Sequence, residues 1–261
     1  MSHKIDLEGA RAYVLAHSNE LGKARLTGIL EGARPPKELV KALEARQNPD
    51  GGFPRDWASA IGGPDPTTAP ASSLDATCLL LDQIRDLPPL TGSPMASRAL
   101  SYLRRAQNRD GAWLAEGAPG LAGEEGTAYR TANVTFTLLT LDPTNRDPIN
   151  WGIKWLERYE GECGLQPAFL AWAAACRHVG LDSPLARRYW ERARAASTET
   201  DLDWFLSTAL NAGVGGRYLV ELAHLIERFA TRQQPDGGWP GDDRVQATLM
   251  ALRVLRGFAL I

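Results

Sequence analysis

Only three cysteines, Cys78, Cys163 and Cys176, occur in the 261 residues. An odd and small number rules against a disulfide framework and points to a reducing compartment. No uninterrupted apolar run approaches the roughly 18 residues that would mark a membrane-spanning helix. The opening MSHKIDLEGARAYV carries no apolar core of the kind that directs secretion. An excess of one charge is missing too: 29 Lys and Arg against 31 Asp and Glu give −2, with both signs scattered along the chain. Without a basic run, or aromatics interleaved with basic residues, a nucleic-acid partner and a polybasic membrane anchor are both disfavoured. Strand alternation bounded by hairpin turns is not visible either. A cytoplasmic, reduced protein without an integral membrane segment is the expectation. Its 44% apolar content is enough for a substantial core.

What the chain does have is a loop that returns. Gln47–Phe53 reads QNPDGGF, Gln107–Trp113 reads QNRDGAW and Gln233–Trp239 reads QQPDGGW. A worn fourth copy, Tyr159–Leu165, reads YEGECGL, with Glu162 and Gly164 at the acidic and second glycine positions. Recurrence at such spacing signals a repeat architecture. Asp-Gly supplies a turn, glycine accepts the left-handed backbone that follows a helix, and the aromatic packs back on the layer. The Gln amide is suited to free backbone groups at a neighbouring helix end. These residues are therefore expected to serve stability and to locate a site without being it.

Helical periodicity dominates the remainder, and twelve helices are predicted, near 6–17, 19–31, 36–47, 72–87, 94–107, 127–142, 147–159, 166–179, 184–197, 201–212, 215–232 and 243–260. Ser93-Pro94 and Ser183-Pro184 place a cap before a proline at the first helical position, and Asp201 is a candidate cap for the helix beginning DLDWFL. The segments pair as six hairpins. Odd-numbered members such as SPMASRALSYLRRAQ are amphipathic, and even-numbered ones such as FLAWAAAC are apolar nearly all round. An outer ring of the first kind around an inner ring of the second satisfies both patterns. The predicted fold is all-α, an (α/α)6 toroid forming one domain over residues 1–261.

The repeated loops resemble the QW repeats of squalene–hopene and oxidosqualene cyclases and the glycine-aromatic repeats of protein prenyltransferase β-subunits. The resemblance covers at least residues 36–260. It implies a toroid whose central cavity takes polyisoprenoids, with functional residues at the N-terminal ends of inner helices. One such end, SSLDATCLLLDQI, is similar to the acid segment of class II terpene cyclases, D-x-D-D-T-A. Matching Thr77 to the motif's threonine puts Asp75 on the proton-donating aspartate, with Ala76 and Ser73 departing from the pattern. Protonating an alkene needs an acid held uncharged, which an apolar, water-poor cavity favours. Aromatic faces stabilise the cations that follow. Asp75 is thus the expected general acid, acting on an isoprenoid or meroterpenoid alkene. Thr77, Tyr129, Arg130, Asn133, Phe136, Phe169, Trp172, Trp204 and Phe205 are the expected substrate-binding residues. Aligning Thr248 or Thr135 with Thr77 brings Gln246 or Asn133 to the acid position, so Asp75 has no second copy.

The same resemblance disfavours some relatives. Asp242-Asp243 is followed by Arg-Val-Gln, which breaks the diphosphate-ionising D-D-x-x-D pattern. Thr77 stands where a zinc-binding prenyltransferase would need cysteine, and Cys176, His178, His3, His17 and His224 do not converge as tetrahedral ligands require. No metal and no cofactor are expected. Cys163-Gly164-Leu165-Gln166 has the spacing of the C-G-E-Q thioester of complement-type domains, a minor alternative. A non-catalytic toroid that binds an isoprenoid or a partner protein is the main one. In a single toroid the 54–71 and 114–128 loops, dimerisation or a partner protein would have to close the cavity.

Overall fold

A computed structural model describes residues 5–57, 71–114, 123–196, 202–213 and 226–261, with backbone alone at 196 and 202–205. The helices are α1 (Leu7–His17), α2 (Glu20–Glu31), α3 (Lys37–Ala45), α4 (Leu74–Gln83), α5 (Pro88–Thr91), α6 (Pro94–Arg105), α7 (Gly123–Leu141), α8 (Arg146–Arg158), α9 (Leu165–Val179), α10 (Pro184–Ala196), α11 (Leu202–Asn211) and a last helix, α12 (Arg244–Gly257); all but the short α5 answer to expected segments. Helix 215–232 is described only from residue 226, and the proposed cap Asp201 lies outside the described residues. Ser93 and Ser183 do cap, their hydroxyls accepting from Ala96 N–H at 3.2 Å and Ala186 N–H at 3.1 Å.

The differences have local causes. The predicted 72–87 helix gives way after α4 to a 3-10 turn, Ile84–Asp86, and the short α5 follows outside the predicted segment, because Pro88 and Pro89 disfavour helical backbone just before them. Helix α7 begins at Gly123 rather than residue 127, and Glu124 and Glu125 occupy its first turn, where the helix dipole favours them. Two short strands escaped the periodicity, β1 (Phe53–Pro54) and β2 (Ser72–Ser73), paired antiparallel.

The chain forms two compact units. One comprises residues 1–40, 83–89 and 198–261, the other 41–82 and 90–197. In the first, α12 packs on α11, α2 and α1; in the second, α9 lies between α7 and α10, and α8 packs on α7. Two classes of helix are evident. Every residue of α9 from Pro167 to Cys176 is buried, as is every residue of α12 from Ala247 to Leu255. In α8 only Ile149, Gly152, Ile153 and Leu156 are buried, one stripe at helical spacing.

The three intact loops are built alike, and each ties its unit together. Gln47 Nε2 donates to Gly51 O at 2.8 Å and to Met95 O at 2.9 Å. Gln107 Nε2 donates to Gly111 O at 3.0 Å and Pro148 O at 2.9 Å. Gln233 Nε2 donates to Gly237 O at 2.9 Å and to Asp6 O at 2.7 Å. Each Gln thus joins its own loop to the start of another helix: α6, α8 and, for the last loop, the first helix of the chain. Asp50, Asp110 and Asp236 each accept the N–H two residues on, at 2.9, 3.1 and 3.1 Å. Gly51, Gly111 and Gly237 have φ of 88°, 97° and 89°. A Cβ there would also overlap backbone at Arg98, Trp151 and Gly9 respectively, so both conformation and close approach demand glycine. The fourth copy departs: Cys163 takes that position, and Ala259 is the one non-glycine with positive φ among the described residues. Arg188 instead reaches the carbonyls of Leu156 and Glu157 at the end of α8, at 2.6 and 3.0 Å.

Candidate functional site

Each intact loop is fastened to the buried helix that follows it by one threonine. Phe53 N–H donates to Thr77 Oγ1 at 2.9 Å, Trp113 N–H to Thr131 Oγ1 at 3.1 Å and Trp239 N–H to Thr248 Oγ1 at 2.9 Å. Thr77, Thr131 and Thr248 are fully buried. Thr77 Oγ1 also donates to Ser73 O at 2.7 Å, which engages its hydroxyl on both sides within the scaffold. The bond to Trp113 sets Thr131, not Thr135, opposite Thr77, a register one helical turn earlier than the sequence alignment. Tyr129 therefore stands at the position of Asp75, and Gln246 at the third.

Asp75 occupies the first turn of α4. Its carboxylate is not alone: Oδ2 lies 3.1 Å from Arg130 Nη2, with the Asp75 side chain 35% exposed and Arg130 only 3%. Arg130 Nη1 also donates to Gly126 O at 3.2 Å, which fixes the guanidinium against its own helix. Asp75 Oδ1 is buried and has no hydrogen-bond partner among the described residues. Burial pushes the Tyr129 phenol well above its usual value; Asp75 and Cys78 add to the rise and Arg130 opposes it. Tyr129, Arg130, Cys78 and Asp75 are therefore electrostatic neighbours. One turn beyond Asp75, Leu79 is 45% exposed, so this face of α4 pairs a carboxyl with an accessible apolar side chain.

The remaining expected residues divide. Asn133 is half-buried one turn after Tyr129, and Phe136 is buried on the same helix. Phe169 and Trp172 stack at 4.7 Å, and Trp172 meets Trp190 of α10 at 5.1 Å, which places both in the packing between α9 and α10. Trp204 and Phe205 belong to α11, with side chains outside the described residues. Cys163 Sγ lies 4.0 Å from Arg192 Nη1; burial pushes its thiol up and Arg192 partly offsets this. Gln166 is exposed in the first turn of α9. Among the described residues no three His, Cys, Asp or Glu side chains are grouped to hold a metal ion, and no helix is long and apolar enough to cross a membrane.

Sequence reasoning missed a cavity of about 720 Å³ lined by Asp110, Leu114, Glu124, Thr127, Trp155 and Tyr159, among others. It contains none of the residues gathered at Asp75.

No protein-family profile matches the chain. Over 164 residues it is 26% identical to the dammaradiene synthase of Dryopteris crassirhizoma, a match covering 60% of this chain and 22% of that protein. The chain is thus distantly and partially similar to a terpene cyclase, and its helical make-up is compatible with that likeness.

Proposed function

We propose that the protein is a terpene-cyclase-like enzyme, an (α/α)6 toroid in which Asp75 protonates an alkene of an isoprenoid or meroterpenoid substrate. The observation that carries this reading is the state of Asp75. It stands two residues before the threonine that fastens the first repeated loop, with one oxygen held by Arg130 and the other buried and unpartnered among the described residues. The partial likeness to a dammaradiene synthase supports the same chemistry. In the proposed step the Oδ1–H bond breaks, the proton passes to an alkene carbon, and the carboxylate left behind remains beside Arg130. Leu79, Tyr129, Asn133 and Phe136 would contact the hydrocarbon, and aromatic faces such as Tyr129 would stabilise the cation. Thr77 would hold the acid segment in place. Incubation with farnesyl, geranylgeranyl and squalene-type substrates, followed by mass spectrometry and chromatography, tests this: isomeric cyclised products are expected, and their absence across the panel would overturn it.

The Asp75–Arg130 ion pair favours a second reading, a non-catalytic module that binds an isoprenoid or a partner protein. There the pair is structural, joining α4 to α7. That reading predicts saturable binding of polyprenyl compounds without conversion, unaltered by Asp75→Asn.

A further inference from the structure

The three repeats provide an internal comparison at one position. The bonds to Thr77, Thr131 and Thr248 bring Ser73, Thr127 and Arg244, each one turn earlier, into correspondence. The Gln bonds to Met95, Pro148 and Asp6 likewise align Tyr102, Trp155 and Tyr13 on the neighbouring helices. In the third repeat this space holds a cation that belongs to the chain. Arg244 Nη2 lies 2.8 and 2.9 Å from the two oxygens of Asp236, and its guanidinium sits 4.8 Å from the Tyr13 ring centre. Tyr13 in turn stacks on His17 at 4.4 Å. A smaller cavity of about 480 Å³ remains beside Asp236 and Arg244.

The second repeat keeps the carboxylate and the stacked rings of this arrangement but has no counterpart of Arg244. Asp110 replaces Asp236, and Trp155 stacked on Tyr159 at 5.1 Å replaces Tyr13 on His17. Thr127 stands where Arg244 would be, and the 720 Å³ cavity opens there. Among the described residues Asp110 Oδ1 accepts only the Ala112 N–H, and Arg158 reaches the Asp110 backbone carbonyl at 2.9 Å rather than its carboxylate. Among the described lining residues, Glu124 and Glu160 add further negative charge, against the single guanidinium of Arg158. In the first repeat Ser72 Oγ occupies Asp50 Oδ1 at 2.7 Å instead.

We infer that the cavity bounded by Asp110, Thr127 and Trp155 binds a guanidinium or alkylammonium group, supplied by a separate molecule in the place that Arg244 fills in the third repeat. The carboxylate gives a charge-assisted hydrogen bond and the indole face a cation–π contact. The shape differs in one respect. Ala112 stands where Gly238 does, and a Cβ at Gly238 would lie 2.9 Å from Arg244 Nη2. The Ala112 methyl therefore narrows the space beside the ring, and the cation enters on the Asp110 and Glu124 side.

Thermal-shift and calorimetric titration of the whole chain tests this, with butylguanidinium and butylammonium as probes and butyrate and butanol as controls. Saturable binding of the two cations alone is expected. Asp110→Asn, which keeps the acceptor for Ala112 N–H, should weaken it at least about tenfold. Thr127→Arg combined with Ala112→Gly rebuilds the third repeat and should abolish binding while the protein stays folded. An arginine-containing peptide forms a further arm: tighter binding than butylguanidinium identifies an arginine of a partner protein as the source, and equal or weaker binding a small cation. Absence of saturable binding, equal binding of butanol, or full binding by the rebuilt variant would overturn the proposal.

Discussion

Arg130 reaches across 55 residues to hold one oxygen of Asp75 at 3.1 Å, and the other is buried without a partner among the described residues. This asymmetry distinguishes the carboxyl from an ordinary helix-start acid, whose oxygens would accept backbone N–H groups of the first turn. In Asp75→Asn the amide oxygen still accepts from Arg130, so the cost to stability should stay under about 1 kcal/mol. Asp75→Leu leaves the buried guanidinium without that acceptor and should cost about 1–3 kcal/mol. Urea denaturation of the two variants checks the ordering, and equal losses would show that the contact has little structural weight.

The three threonines under the loops give a sharper structural prediction. Thr131→Val keeps the shape but leaves the Trp113 N–H with no acceptor in a buried site, a loss of about 1–3 kcal/mol. Thr77→Val should cost a similar amount through Phe53 N–H. Matched losses in chemical denaturation would mark the threonine as a repeat-wide fastening; a silent Thr131→Val would contradict it.

Glycine in the loops separates strain from space. Gly32 has φ 67° with nothing within 4 Å of an added Cβ, whereas at Gly111, with φ 97°, the Cβ would meet the Trp151 carbonyl. Gly32→Ala should therefore cost about 1–2 kcal/mol from backbone strain alone. Gly111→Ala should cost clearly more, since α8 must also shift. Thermal melts of the two proteins, compared with the parent, decide this.

Tyr129 reports on the acid's surroundings. Burial first, then Asp75 and Cys78, raise its phenol above the ordinary value near 10. The unfolded chain loses this proton from about pH 10 upward while the folded protein retains it. Native stability from this group is therefore complete below that pH and declines as pH rises above it. Ultraviolet difference titration should show a late-ionising phenol that vanishes in Tyr129→Phe and ionises earlier in Asp75→Asn. An unshifted phenol in Asp75→Asn would mean that the carboxylate exerts no field there.

The helices and the repeated loop were largely legible because their signals are local. Amphipathic spacing in 94–107 and 147–159, prolines after Ser93 and Ser183, and Asp-Gly at the turns each act within a few residues. Gln47, Gln107 and Gln233 do serve helix ends, as their amides implied, although their partners lie 48, 41 and 227 residues away. The site was less legible. Thr131 and Thr135 lie one turn apart on the same helix, and only the hydrogen bond from Trp113 selects between them. Arg130 gave no sequence sign that it would meet Asp75, since its presence beside a loop equally fits a surface residue. The cavity at Thr127 depends on what is missing there, an arginine, which becomes visible only when the repeats are placed in register by their bonds.

The central claim, that Asp75 is the proton donor to an alkene, is tested most directly by product formation from a converted isoprenoid substrate, measured side by side for the parent protein and Asp75→Asn at equal folded fraction. Turnover by the parent is expected, with a loss of at least about a hundredfold in Asp75→Asn. Equal turnover by the two proteins would contradict it.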